Sequence, residues 1–198
     1  MGLFGKGRPG LEIAPGYTRA LIQRRAARTN DALRIPAGWE AIFVHDGAFS
    51  PVLREGDGRL PSEGRRTVEG GLYFIRLAPE DVLDWGCGGV QVGARTCGLH
   101  GTLRMEVVSS RKLLAAFIGE AMPFPAGRAY ERLLGDVLDA VRTCTRQVAQ
   151  ASGTPAGMEP QIADAARKAL EGPFEQYGLA VASLTVEGIF IAPEAQEA

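Results

Sequence analysis

Trp85-Gly86-Cys87-Gly88-Gly89 concentrates residue types from which a site can be built. Its glycines would let backbone N–H groups approach an anion, and Cys87 would be a nucleophile wherever a nearby cation holds it as thiolate. The stretch lacks the Lys and the Ser or Thr of a P-loop, and it lacks Rossmann glycine spacing. It is read as the bulged start of a strand, a common place for glycine. No His adjoins Cys87, so the thiol is read as structural. His45 and His100 are the only histidines, and neither has HxxxH spacing nor a CxxC pair beside it, so no metal site is expected. Asp81, Asp84, Glu106 and Asp136 have no spacing that pairs them for acid–base work. They read as solvated faces, loop caps or ion-pair partners. Neither a catalytic residue nor a cofactor is expected.

The basic residues offer a different chemistry. Residues 1–28 hold six Lys or Arg against Glu12 alone, a local charge of +5, which leaves −6 for the remainder of a chain at −1. Leu3, Phe4, Lys6, Arg8, Arg24, Arg25 and Arg28 are therefore the candidates for contact with an anionic membrane surface. A near-neutral chain whose Arg24, Arg25 and Arg28 have no aromatic residues interleaved on a recognisable module argues against nucleic acid as a partner. No apolar run approaches the roughly 20 residues that span a bilayer. Residues 1–6 are too short for a signal-peptide core, and Lys6 stands where a myristoylation site has Ser or Thr. Three cysteines, Cys87, Cys97 and Cys144, form no disulfide framework and fit a reducing compartment. The expected location is the cytoplasm.

Several elements would have to position these groups. Residues 17–23 read as a first strand and 24–30 as a basic loop or short helical turn. Residues 33–35 are extended before Pro36, and 39–44 form a strand closed by Asp46-Gly47, a hairpin signal. Glu55 to Gly70 reads as loops with at most one short strand. Residues 72–77, 86–93 and 97–108 are strands, the last two paired through 94–96. Ser109-Ser110 cap a short helix over 112–118. Residues 126 to about 151 form the longest helix, whose apolar stripe runs through Tyr130, Leu133, Val137, Val141 and Cys144. At ~1.5 Å per residue it would be roughly 38 Å long, more than one sheet edge covers. A second helix spans about 158–177, Gly178 ends it, and 179–191 form an alternating strand. Strands first, then helices, then a strand describe an α+β fold.

Three patterns in this order resemble the SPFH, or band 7, family of stomatins, prohibitins and flotillins, and most closely its bacterial virion-core-protein-like soluble branch. The first is Ala41-Ile-Phe-Val-His-Asp-Gly47. The second is Leu72-Tyr-Phe-Ile75, followed by Asp84-Trp85-Gly86 and Leu99-His-Gly101-Thr102-Leu103. The third is Tyr177-Gly178-Leu179 with Val186, Ile189 and Ile191. The resemblance implies an SPFH-like domain over 31–193, with subdomains 31–70 and 71–193, between a flexible basic segment 1–30 and a short tail 194–198. It implies a non-enzymatic scaffold that self-associates and organises membrane patches or partner proteins. Such a protein would sit in the cytoplasm and at the inner face of the plasma membrane. Two other readings stay open: a ligand- or protein-binding module without a membrane link, and an enzyme with an unrecognised cleft.

Overall fold

The structure is a computed structural model and describes residues 10–14, 16, 19–62 and 66–192. The chain runs β1 (Ala20–Arg28), β2 (Ala32–Ile35), β3 (Trp39–His45), β4 (Ala48–Phe49), β5 (Gly56–Arg59) and β6 (Glu69–Arg76). Next come β7 (Leu83–Val92), β8 (Arg95–Val107), α1 (Ser110–Phe117), β9 (Phe124–Pro125) and α2 (Ala126–Ser152). It closes with α3 (Glu159–Ala169), α4 (Glu171–Gln176) and β10 (Leu179–Ile191). The fold is α+β, as the order of patterns predicts.

The contacts divide the chain into two compact units, Met1–Ala78 with Ser109–Pro125, and Pro79–Val108 with Ala126–Ala198. The division does not fall at Gly70, as a 31–70 and 71–193 split requires. Gly70 lies inside β6, opposite Ala27, and a Cβ there would collide with the Val44 carbonyl oxygen. Its glycine marks a close backbone approach within a sheet, not a linker.

The first unit holds a sheet ordered β4-β3-β6-β1-β9 and a two-stranded pair β2-β5. Asp46 and Gly47 have φ of 46° and 77°, so both take the left-handed conformation of the tight turn that their dipeptide signals. One face of the sheet packs Ala41, Phe43, Leu72 and Phe74 with Leu33, Ile35 and Leu60. α1 starts as expected, with the Ser109 side chain accepting from the Lys112 N–H, and it buries Leu113, Leu114 and Phe117. Residues 24–28 correct the sequence reading. They are strand, and the turn comes only at Asn30, whose φ is 69°. Arg24, Arg25 and Arg28 find ladder partners in Tyr73, Leu72 and Glu69 on β6. Pairing with a neighbouring strand here overrides a local composition that reads as loop.

The second unit is built on the antiparallel sheet β10-β8-β7, with β8 in the centre. Along β8 the odd-numbered residues from Cys97 to Val107 are buried and their neighbours less so, the period-2 pattern of a half-buried strand. α2 packs on β7 and on α3, while α3 and α4 pack on β10. The stripe on α2 is buried from Ala126 to Ala149. The length of helix expected to outrun the sheet is thus covered by α3. The predicted single helix over 158–177 is two helices meeting at Leu170. Pro173 has no N–H to give to the Ala169 carbonyl, so the ladder is interrupted one turn ahead of it.

Candidate functional site

The glycine-rich stretch lies in β7, at the edge of the second sheet. Its pairing with β8 shifts between Cys87 and Val90, and Gly89 has a φ of 70°. Gly88 and Gly89 therefore form a β-bulge, as the sequence suggests. Trp85, Cys87 and Val90 are buried, and the Trp85 Nε1 lies buried without a hydrogen-bond partner among the described residues.

Cys87, Cys97 and Cys144 are all free thiols and all buried. Burial pushes each thiol above its ordinary range. The Arg142 charge and a backbone hydrogen bond only partly offset this at Cys87. The Cys97 thiol donates to the Val90 carbonyl at 3.5 Å. Such groups are packed thiols rather than activated nucleophiles. Alkylation by iodoacetamide across pH 7–10 is accordingly expected to be slow for the folded chain and rapid after denaturation. Cys87→Ser should leave every binding readout unchanged. Labelling of native Cys87 with an apparent pKa below that of a free thiol would overturn this reading.

The histidines lie in separate units. His45 donates from Nδ1 to the Glu69 carbonyl at 2.6 Å and brings Nε2 within 3.1 Å of the Asp46 carboxylate. His100 stacks on Phe190, ring centroids 5.4 Å apart. Among the described residues no group of three or more His, Cys, Asp or Glu is placed to hold a metal. Of the four carboxylates, Asp84 is exposed on β7, where its backbone carbonyl accepts from the Tyr130 hydroxyl at 3.1 Å. Burial and the Asp84 charge push that phenol up to about 12, so it stays a donor. The Asp81 Oδ2 is buried with no hydrogen-bond partner among the described residues. Asp136 lines a shallow groove on α2 with Asp139, which pairs with Arg142 at 3.2 Å. Glu106 stands apart from these, near Glu171 and Glu175 at the start of β10. The carboxylates that do share a groove, Glu106 with Glu171 and Glu175, and Asp136 with Asp139, line open surface grooves.

Among the described residues, the basic candidates on β1 do not share one face. Alternation along β1 puts Arg24 and Arg28 on one face and Arg25 on the other. Arg24 lies over the Tyr73 ring at 6.0 Å, and Arg28 forms a 2.6 Å ion pair with Glu69. Leu3, Phe4, Lys6 and Arg8 lie outside the described residues. Among the described residues no helix is long and apolar enough to cross a membrane.

Two surface features were not singled out from sequence. Phe190, 67% exposed, stands with His100 on the open side of the second sheet. The second is a groove of about 330 Å³ beside the first residues of β10, lined by Glu106, Val108, Arg167, Glu171 and Glu175. The fold is thus that of an α+β protein of two compact units. No protein-family model matches the sequence, and no curated protein matches it.

Proposed function

We propose that this chain is a non-enzymatic scaffold of the SPFH type, which self-associates and organises partner proteins or membrane patches. The observation that carries the reading is Phe190, an aromatic side chain presented to solvent beside His100 on an uncovered sheet face. The proposal places self-association at this side chain, whose burial between copies would remove an aromatic ring from water. The order of the three SPFH-like patterns supports the class, and the raised, buried thiols agree with a chain that does no thiol chemistry.

Membrane contact belongs in this proposal to Leu3, Phe4, Lys6 and Arg8, helped by Arg24 and Arg25. Each unpaired cation near an anionic leaflet contributes about 1 kcal/mol. Glu69 neutralises Arg28, and Arg25 points away from Arg24, so few cations face one plane. That split favours, as a second reading, a protein-binding module without a membrane link.

Mass measurement in solution, with and without anionic vesicles, tests both. The scaffold reading expects mass to rise with concentration in the micromolar range and to fall for Phe190→Ser. It also expects vesicle binding that fades as salt rises. A monomer at high micromolar concentration removes self-association. An oligomer that ignores anionic vesicles at low salt leaves the module without a membrane link.

A further inference from the structure

Among the described residues β10 pairs on one side only, with β8, so its outer edge carries backbone donors and acceptors with no described strand beside them. Natural proteins blunt such edges, and two devices are present. The pairing shifts between Val181 and Ser183 and again between Val186 and Gly188, which puts two bulges in the strand. Ahead of the first bulge, the run Leu179–Ala180–Val181 is regular and opens directly onto the 330 Å³ groove. Val108, 57% exposed, supplies an apolar wall there.

Carboxylates stand on both sides of this edge. Glu106 lies opposite Ala180 on the exposed side of β8, and Glu171 and Glu175 belong to α4, which packs on β10. Among the described residues Arg167 is the one cation lining the groove. The unit around it holds 14 Asp or Glu against eight Lys or Arg, a net charge of −6. The sign opposes an anionic membrane as the occupant and favours a cationic one. An extended chain laid along β10 sends successive side chains to alternate faces, so lysine or arginine on either face meets a carboxylate.

We infer that the start of β10 is a docking edge for a short, extended, lysine- or arginine-bearing segment of a partner protein, held by strand pairing and by Glu106, Glu171 and Glu175. This extends the reading of the chain as an interaction protein to a surface distinct from Phe190. The bulge after Val181 limits the ladder to a few residues, so the affinity is modest and the contact reversible.

The test uses the full chain and a fluorescently labelled, end-capped octapeptide of alternating lysine and valine, followed by anisotropy. Micromolar binding is expected, weakening as salt rises. The same peptide N-methylated at every second residue keeps its charge but cannot complete the ladder, and should bind at least tenfold more weakly. Glu106→Lys with Glu171→Lys should also weaken binding at least tenfold. Glu106→Gln with Glu171→Gln should fall between, and thermal melts check that both variants fold. Equal binding of the N-methylated peptide would reduce the site to nonspecific charge and overturn the proposal. So would equal binding of a glutamate–valine peptide, unchanged binding by the charge-reversed variant, or no binding at millimolar peptide. A loss of self-association in that variant would instead make the edge a contact between copies, which also overturns it. Phe190→Ser should leave peptide binding intact, so this site and self-association fail separately.

Discussion

Replacing Gly101 by alanine is expected to lower the melting temperature by about 6–12 °C, from a loss of about 3 kcal/mol or more. Gly101 sits in the middle of β8, between Trp85 on β7 and Val186 on β10. A Cβ at this position would collide with the Thr185 carbonyl oxygen and would lie 2.7 Å from Cζ2 of Trp85. The indole cannot retreat, since Trp85 is only 4% exposed. The carbonyl is backbone, fixed where the Thr185 hydroxyl meets both the N–H and the hydroxyl of Thr102. The methyl group must therefore part the two strands. Gly86, in the neighbouring row, is the control. A Cβ there would meet nothing closer than 3.8 Å, so Gly86→Ala should melt with the unaltered chain. Thermal unfolding followed by circular dichroism decides between them. Equal melting of both variants would mean that β8 and β10 are not held this closely.

The same strands show which parts of the fold the sequence makes legible. Period-2 burial along β8 follows from its residues because the strand is regular and its partners lie on both sides. β10 reads as one alternating strand, and its limits, Leu179 to Ile191, follow from Gly178 and Pro193. Its faces do not. Strict alternation would put Leu184, Val186 and Phe190 together on the buried side. The bulge between Val186 and Gly188 adds one residue and inverts the pattern, so Ile189 and Ile191 turn inward and Phe190 outward. One inserted residue is thus the reason the exposed aromatic surface of Phe190 escapes a reading by periodicity. Gly188 is the local trace of the change. A Cβ there would meet the His100 ring at 2.6 Å, so the glycine lets that ring lie against the strand.

β1 is opaque for another reason. Arg24, Arg25 and Arg28 carry no strand signal of their own, and what makes them strand is β6, more than forty residues away in the chain. Long-range pairing also determines their chemistry. Read as a loop, they form a basic cluster for a membrane. As a strand, they divide between two faces, and Glu69 takes one of them. The acidic groove shows the converse. Glu106 and the pair Glu171 and Glu175 lie far apart in sequence and meet only because β8 and β10 pair and α4 packs beside them.

Gly178→Val is expected to cost about 2 kcal/mol, because a β-branched residue is forced into a left-handed backbone. Gly178 has a φ of 71°, the conformation that ends a helix and turns the chain out of it. Its N–H donates to the Glu175 carbonyl at 3.0 Å, which closes the last turn of α4. Its own carbonyl accepts from the Val108 N–H at 2.9 Å, which begins the alignment of β10 with β8. The residue is therefore bonded to the helix behind it and to the strand beside it. A side chain that pulls φ back to negative values must break one of these bonds. The graded series tests the cause: Gly178→Asn should cost least, since Asn tolerates this region, Gly178→Ala more, and Gly178→Val most. The same order should appear in peptide binding at the start of β10, because the adjoining Leu179–Val181 run takes its alignment from this joint. Thermal stability that is unchanged in the valine variant, or that falls equally in all three, would place the strain elsewhere.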